Sequence, residues 1–254
     1  DWIYNLLFKK LLKIPTLKNL LVFEEAFIEF AKKRYKKLSS KIKFIPDFGL
    51  IKIESSKKQA RINLGINQNS KVILIYGSLS LRKGIKELLE TMLNTQMPKN
   101  IVILLSGKPD EEVIKLIKNP NYKNLIDLKK IFTYFKFHNT FEEQQAFAAA
   151  DAVWLGYAKG FNQSSGILYQ AIQSDLLLIG RNSGIIERYI NQYHLGVTVS
   201  PSETKEVIKM IKYLFDQEEY FYKKSKKERK FLKDLHSPEK YSDILLEVLK
   251  NSVK

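Results

Sequence analysis

From residue 71 to residue 199, short apolar runs alternate with segments in which apolar residues recur every three or four positions. The first pattern predicts buried strands, and the second predicts amphipathic helices. The predicted strands are Lys71–Tyr76, Ile101–Leu105, Phe132–Phe137, Ala152–Tyr157, Leu176–Ile179 and Gly196–Val199. The predicted helices are Lys83–Leu93, Asp110–Ile117, Phe141–Ala150, Gly166–Gln173 and Gly184–Asn191. This alternation predicts an α/β fold with a parallel sheet covered by helices on both faces. Ligands of such sheets bind at the carboxyl ends of the strands.

The N-terminal part has two helical patterns. Apolar residues of Trp2–Leu12 form a stripe with lysines beside it, and Pro15 ends this helix. The stripe has two interpretations: a helix that lies on anionic lipid, or a helix that packs on a neighbouring domain. Glu24–Leu38 is a second amphipathic helix with a basic end, and residues 44–70 have the pattern of a linker.

The C-terminal part is helical in pattern throughout from Thr204 onward. Ser237 followed by Pro238 is typical of a helix start, because serine caps the first turn and proline fits its first position. We therefore predict a helical C-terminal tail.

The amino-acid composition excludes several kinds of site in this chain. The chain has 254 residues, of which 44% are apolar, and this is enough for a sizeable core. There is no cysteine, which excludes disulfides and thiolate metal sites and fits a reducing compartment. His138, His194 and His236 share no metal-ligand spacing, so we predict no metal site. Apolar runs such as Val72–Tyr76 are too short to span a bilayer.

The net charge of +16 predicts attraction to polyanions: nucleic acid, anionic lipid or phosphorylated ligands. The sequence contains no basic recognition helix and no aromatic RNA-binding motif. We therefore predict that nucleic acid is not the partner.

The first candidate motif is Gly77–Gly84, which lies where a predicted strand ends and a helix begins. Backbone N–H groups at such a junction attract an anion, and Arg82 and Lys83 add two cations. A nucleotide diphosphate is the predicted ligand. The alternative is an ordinary turn with two solvated cations.

The second candidate motif, Gly160–Ala171, also follows a strand and opens a helix. Its hydroxyls, amides and free helix N–H groups suit recognition of phosphates and hydroxyls more than acid–base chemistry. The alternative is a plain helix cap by Ser164 or Ser165.

Two further features are less specific. His138 lies in the loop Lys136–Asn139, which either lines a pocket for a base or forms a surface turn. Glu142 and Glu143 are interpreted as first-turn acids of a helix, where the helix dipole favours them.

Taken in order, these motifs resemble the donor-binding domain of GT-B glycosyltransferases of the family-4 type. The segments that carry the resemblance are Phe44–Asp47, Lys71–Leu89, Thr140–Asp151, Gly160–Gly180, Ser183–Glu187 and His194–Val197. The resemblance implies a Rossmann-like domain, the C-terminal half of a GT-B fold, that binds the nucleotide of a nucleotide-sugar without a metal.

The resemblance also implies roles for individual residues. Lys83 matches the lysine that binds the diphosphate, whereas the arginine usual five residues earlier is Ser78 here. The usual pair of glutamates falls on Asn162 and Gln170, whose amides can bond a ribose or sugar hydroxyl. We expect donor binding by Gly77, Ser78, Arg82, Lys83, His138, Gln163, Ser164, Ser165, Gly166 and Gln170, and name no catalytic residue.

The resemblance divides the chain into four parts. Residues 1–43 are expected to be a remnant of the N-terminal acceptor domain, most of which would precede this chain, and residues 44–70 a linker. Residues 71–216 are expected to form the nucleotide-sugar-binding domain. Residues 217–254 are expected to form helices that pack back on the N-terminal part.

The implied function is transfer of a sugar from a nucleotide-sugar to an envelope polysaccharide or lipid-linked acceptor, with no cofactor. The expected location is the cytoplasm, with peripheral association at the inner face of the membrane. The alternative is a non-catalytic module of the same fold that binds a nucleotide-sugar or pairs with an active transferase.

Overall fold

A computed structural model describes residues 2–253 of the chain. The residues form two compact units. The larger unit is Leu50–Leu232, and the smaller joins the segment up to Gly49 with the segment from Lys233.

The elements are numbered in chain order. The helices are α1 (Trp2–Lys13), α2 (Glu25–Tyr35), α3 (Lys57–Asn63), α4 (Ile85–Met92), α5 (Glu111–Ile117), α6 (Pro120–Asp127), α7 (Thr140–Ala149), α8 (Gly166–Gln173), α9 (Gly184–Tyr193), α10 (Thr204–Asp216), α11 (Glu218–Lys224), α12 (Lys226–Leu235) and α13 (Pro238–Val253). The strands are β1 (Leu20–Val22), β2 (Ile42–Phe44), β3 (Lys71–Tyr76), β4 (Ile101–Gly107), β5 (Ile131–Phe135), β6 (Ala152–Leu155), β7 (Leu177–Arg181) and β8 (Gly196–Val199).

The larger unit contains a six-stranded parallel sheet in the order β5-β4-β3-β6-β7-β8. The chain moves outward from β3 to β5, returns to the centre at β6, and moves outward again to β8. A crevice forms where the order reverses, outside the carboxyl ends of β3 and β6, and ligands bind there in sheets of this topology. The prediction of a parallel sheet with helices on both faces is confirmed.

The two faces of the sheet carry separate hydrophobic clusters, because successive strand residues point to opposite sides. Val72 and Leu74 belong to the cluster that includes Phe147 of α7. Ile73 and Ile75 belong to the other cluster, which includes residues of α4 and α10. Each strand predicted between residues 71 and 199 is present, with bounds that differ by at most two residues.

The segment predicted as a linker contains α3, which is joined to the residue before β6 by one buried and one partly exposed ion pair. Asp151, only 4% exposed, accepts hydrogen bonds from Arg61 Nη2 at 2.6 Å and Lys57 Nζ at 2.9 Å. It also accepts from the backbone N–H of Val72 at 2.7 Å. Charges buried in this way are stable only when paired, so α3 is an integral part of the larger unit.

The helix after β3 begins later than predicted, since the predicted range was Lys83–Leu93. Leu81–Lys83 forms a short 3₁₀ turn, and α4 begins only at Ile85. Gly84 between them has φ 69°, in the left-handed region, so the α-helix cannot run through it.

The smaller unit is built on a pair of parallel strands, in which Leu20 of β1 aligns with Ile42 of β2. Its buried core consists of Leu12, Ala31, Tyr35 and Ile42. Helix α13 belongs to this unit, and Ser237 caps it as predicted, accepting from the Lys240 N–H at 3.1 Å. His236 Nδ1 donates to the carbonyl oxygen of Asp47 at 2.6 Å.

Candidate functional site

Two turns, one after β3 and one after β6, lie at the carboxyl edge of the sheet where the strand order reverses. A Cβ atom added to Gly77 would lie 3.5 Å from Lys83 Nζ and 3.7 Å from Ile167 Cδ1, in the first turn of α8. The Lys83 amine lies 6.0 Å from the centre of the Tyr157 ring, which follows β6. The structure therefore brings both candidate motifs together.

One backbone and one side-chain hydrogen bond hold the first turn against β6 and the segment that follows it. The N–H of Ala158 donates to the Arg82 carbonyl at 2.8 Å, and Trp154 Nε1 donates to the Lys83 carbonyl at 3.0 Å. A Cβ at Gly84 would lie 1.9 Å from the carbonyl oxygen of Gly156, so only glycine allows this approach. The position of the lysine is thus fixed by close backbone packing and by the Trp154 indole.

Lys83 is buried, with 7% of its surface exposed, and its amine donates to the carbonyl of Tyr76. Burial, assisted by the neighbouring charge of Arg82, lowers the pKa of Lys83 to about 8. The alternative of two solvated cations is therefore wrong for Lys83. The Lys83 ammonium group is partly desolvated, and a bound anion would stabilise its charged form.

Arg82 points to solvent beside the buried lysine. Its guanidinium lies 5.5 Å from the centre of the Tyr157 ring and 5.2 Å from that of Phe161. The two rings stack on each other, with centroids 4.0 Å apart. Contacts of a guanidinium with aromatic faces restrict its position and leave its N–H groups free for an anion.

The N-terminus of α8 lies on the other side of the candidate site from Lys83 and Arg82. Ser165 immediately precedes the helix. Its side chain makes no capping hydrogen bond to any of the described residues, 2–253. Its hydroxyl instead pairs with the Tyr157 hydroxyl at 2.7 Å. The interpretation of Ser164 or Ser165 as a plain side-chain cap is therefore wrong. The Leu168 N–H donates to the Ser165 carbonyl at 2.8 Å, and the N–H groups of Gly166 and Ile167 at the helix start can bind an anion.

His138 lies at the ends of β3, β4 and β5. Its ring stacks on those of Tyr134 and Tyr76, with centroids 4.9 and 5.6 Å away, and its Nε2 lies 3.5 Å from Ser106 Oγ. Partial burial lowers the pKa of His138 and so favours its neutral ring. The residue belongs to an aromatic and polar wall rather than to a surface turn.

Gln170 lies one turn into α8 and donates from Nε2 to Glu143 Oε1 at 2.8 Å. The same carboxylate lies close enough to the hydroxyl of Tyr76 to act on its pKa. Burial and this carboxylate raise the pKa of Tyr76, so its hydroxyl remains a donor. Sequence reasoning missed Glu143 as a site residue, because only packing brings α7 next to α8.

The remaining residues predicted to bind the donor lie at the edge of the candidate site. Ser78 and Gln163 are exposed, and Ser164 is half-buried. A Cβ on Gly184, at the start of α9, would lie 2.9 Å from the Cα of Asn162, so the loop after β6 packs against α9.

Within residues 2–253, no group of three or more His, Asp or Glu side chains is arranged to hold a metal ion. Across the same residues, the helices are all too short or too polar to cross a membrane.

Comparison with known proteins identifies the family. Residues 56–231 match the family model for glycosyl transferases of group 1. No curated protein matches the chain.

Solved structures share the fold. Anabaena HepE in complex with UDP is 15% identical with a TM-score of 0.73, covering 92% of this chain and 64% of HepE. Sucrose-phosphate synthase from Thermosynechococcus elongatus is 15% identical with a TM-score of 0.70, covering 99% of this chain and 62% of the synthase.

The C-terminal domain of a group 1 glycosyl transferase from Francisella tularensis is 16% identical with a TM-score of 0.55, covering 73% of this chain and 92% of that domain. The chain thus spans less than two thirds of the length of the synthase and HepE, but nearly all of the isolated domain. With a matching family model over most of its length and a GT-B-type parallel sheet, the chain belongs to the group 1 glycosyl transferases.

Proposed function

We propose that this chain carries the donor site of a family-4 type glycosyltransferase, which moves a sugar from a nucleotide-sugar to an envelope polysaccharide or lipid-linked acceptor. The observation that carries the proposal is the buried amine of Lys83, beside Arg82 and opposite the uncapped start of α8. All three lie where the strand order reverses, which is where ligands of such sheets bind.

A diphosphate fits the charge of this site. An anion next to Lys83 offsets the desolvation that lowers its pKa, and Arg82 offers a planar fork of donors. The N–H groups at the start of α8 add the positive end of a helix dipole. These cationic groups supply the charge that a metal ion supplies elsewhere, so we propose that donor binding needs no metal or cofactor.

The other predicted donor residues have roles in the same proposal. Gly77 allows close approach of the diphosphate to the backbone, with Ser78 at the rim. Ser164 and Gln163 offer hydroxyl and amide groups to the sugar. His138 and its aromatic neighbours offer a wall for the base.

A non-catalytic module that only binds a nucleotide-sugar is the second candidate. It is favoured by the amides at Asn162 and Gln170, because neither residue can act as a general acid or base at neutral pH. The two candidates share the donor site and differ only in turnover.

Calorimetric titration with UDP-glucose, GDP-mannose and ADP-glucose, each with and without EDTA, tests the proposal. We expect one donor to bind with a dissociation constant below about 1 mM, unchanged by EDTA. Failure of all three to bind would overturn it, and loss of binding in EDTA would overturn the metal-independent part. Donor binding without release of the nucleoside diphosphate, in the presence of saccharide or lipid-linked acceptors, would favour the binding module.

We also propose that the protein works in the cytoplasm, at the inner face of the membrane, through α1. Trp2, Tyr4 and Leu7 of this helix are 73%, 75% and 54% exposed, with Lys9 and Lys10 nearby in sequence. Exposed aromatic and apolar side chains beside lysines are typical of helices that lie in a lipid interface. The rival interpretation, a face that packs on another protein domain, has the same exposed residues.

Vesicle co-sedimentation separates the two interpretations. We expect binding to anionic vesicles that weakens with salt and is lost when Lys9, Lys10 and Lys13 become glutamine, since each lysine near such a surface contributes about 1 kcal/mol. The control replaces three exposed lysines of α12, Lys226, Lys227 and Lys230, and should retain binding. No binding at low salt, or equal loss in both variants, would count against the membrane.

A further inference from the structure

Arg181, at the carboxyl end of β7, carries a positive charge that pairs with none of the described carboxylates. The residue is half-buried. Its Nε donates to Ser183 Oγ at 3.0 Å, and its Nη1 donates to the Tyr157 carbonyl at 2.9 Å. Within residues 2–253 it forms no ion pair, not even with Glu187 in the first turn of α9. Charges withdrawn from water are normally paired, so this guanidinium is suited to receive an anionic partner from a ligand.

The guanidinium of Arg181 keeps donors that a ligand can reach. Its Nη2 makes no hydrogen bond to any residue that the structure describes, and it is not among the side-chain atoms that are buried without a partner. Nη2 is therefore open to solvent. The bonds at Nε and Nη1 hold the planar group in one orientation, which lowers the entropy cost of binding. The free N–H groups form a planar fork, whose geometry matches a carboxylate.

The order of groups along the carboxyl edge of the sheet places Arg181 at the sugar end of a bound donor. The aromatic wall that includes His138 lies at the ends of β5, β4 and β3. The proposed diphosphate site lies between β3 and β6, and Arg181 ends β7, on the other side of β6. In a nucleotide-sugar, the diphosphate likewise stands between the nucleoside and the sugar. A donor with its base on the aromatic wall therefore extends its sugar toward Arg181.

Tyr157 connects Arg181 to the cations of the proposed diphosphate site. The centre of its ring lies 5.5 Å from the Arg82 guanidinium and 6.0 Å from the Lys83 amine. Its carbonyl oxygen accepts from Arg181. A single residue thus separates the two groups of cations, so a sugar joined to a diphosphate on Lys83 is within reach of Arg181.

The surroundings of Tyr157 favour negative charge on the sugar. The segment 158–166, which leads from β6 to α8, contains Lys159 and no acidic residue. Burial lowers the pKa of Lys83 and raises the pKa of Tyr157, and in neither case does a carboxylate contribute. A negative group on the sugar would therefore meet cations beside Tyr157 rather than carboxylates.

We propose that the sugar of the donor is acidic and that Arg181 binds its carboxylate, which selects a nucleotide-uronic acid over its neutral counterpart. This inference rests on the proposed donor site. A neutral sugar would leave the charge of Arg181 unpaired, whereas a uronic acid brings a carboxylate that pairs with the fork of N–H donors. Lys83 and Arg82 remain available for the diphosphate.

Titration calorimetry compares UDP-glucose with UDP-glucuronate and GDP-mannose with GDP-mannuronate, pairs that differ only in a hydroxymethyl or carboxylate group on the sugar. The uronate of the better-binding pair should bind about tenfold or more tightly than its neutral counterpart, because a charge-assisted pair forms. In Arg181→Gln this preference should fall to about twofold at most, whereas UDP or GDP alone should bind within about threefold of its wild-type affinity. The matched control is Arg188→Gln, which removes the same charge from an exposed position on α9 and should keep the preference.

The outcomes distinguish this inference from the donor site. If no donor and no nucleoside diphosphate binds the wild type, both fall together. If a nucleoside diphosphate binds, but the wild type binds uronate and neutral donor equally, or Arg181→Gln keeps the preference, the role of Arg181 alone is overturned.

A second measurement keeps the test decisive if Arg181→Gln is poorly folded. In the wild type, the preference for the uronate should shrink between about 0.05 M and 0.5 M salt, because salt screens an ion pair that is partly open to solvent. A preference that salt leaves unchanged would overturn the pairing of Arg181 with a carboxylate.

Discussion

The two ends of the candidate site are built in opposite ways. At the end formed by Gly77–Gly84, cations are held by main-chain contacts, and a glycine at φ 69° sets the geometry. At the end formed by Tyr76, Glu143 and Gln170, side chains from three elements meet, and the Gln170 amide donates to the Glu143 carboxylate. The first end suits a group with negative charge, and the second suits a neutral group with hydroxyls.

The two ends of the site should differ in how well they tolerate mutation. Side chains at the acceptor end can be exchanged for others of similar shape, because each holds its place through one or two hydrogen bonds. The cationic end depends on backbone that passes within van der Waals distance of Gly156, and no side chain can be inserted there. We therefore expect the largest mutational effects at the cationic end.

Gly84→Ala tests the main-chain part of the comparison and has the largest expected effect. A Cβ there would lie 1.9 Å from the Gly156 carbonyl oxygen in a left-handed conformation, which should lower the free energy of unfolding by about 3 kcal/mol or more. Urea unfolding followed by circular dichroism measures it. Gly160→Ala is the control: its φ is 93° but a Cβ meets nothing within 4 Å, so the cost should be about 1 kcal/mol. Equal losses in the two variants would show that the contact with Gly156 is not what constrains the turn.

Lys83→Met tests the charge at the same end while nearly keeping the shape of the side chain. It should weaken binding of the preferred nucleoside diphosphate by about 1.5–3 kcal/mol, about 10- to 150-fold, because a hydrogen bond to a charged group is lost. Lys86→Met removes the same charge from an exposed position on α4, where the lysine pairs with Glu90 at 3.7 Å. Titration calorimetry should show little change in that control. An equal weakening by both variants would mean that net charge, and not the buried amine, governs affinity.

The cationic end could be predicted from the sequence, because its signals are local. A strand, a glycine and two adjacent cations occur within a few residues, and the second turn likewise combines small residues with a helix start. The burial of Lys83 could not be predicted in this way. It results from Tyr157 and Trp154, which are more than seventy residues away and meet the turn only because β3 and β6 are neighbours.

Other features of the structure could not be predicted from the sequence for related reasons. Glu143 has the local features of a first-turn acid, and only the packing of α7 beside α8 reveals its contact with Gln170. Helix α3 is short and follows a polar stretch, and its anchor, Asp151, is ninety residues beyond Arg61. Helix α6 begins with Asn119 as cap and Pro120 in its first turn, a local signal that could have predicted it.

The most direct test of the central claim is the pH dependence of diphosphate binding in the wild type and in Lys83→Met. The pKa of Lys83 is about 8 without ligand, and a bound diphosphate should raise it, so affinity should fall as pH rises through 8. Between pH 7 and pH 9 the expected fall is about tenfold in the wild type and about twofold at most in Lys83→Met. The titration of Lys83 does not itself destabilise the fold over this range. Since the folded-state pKa of Lys83 lies below the ordinary value of 10.5, its contribution to stability increases from about pH 8 upward. A wild-type affinity that stays constant from pH 7 to pH 9, or an equal fall in Lys83→Met, would contradict the assignment of the buried amine to the diphosphate.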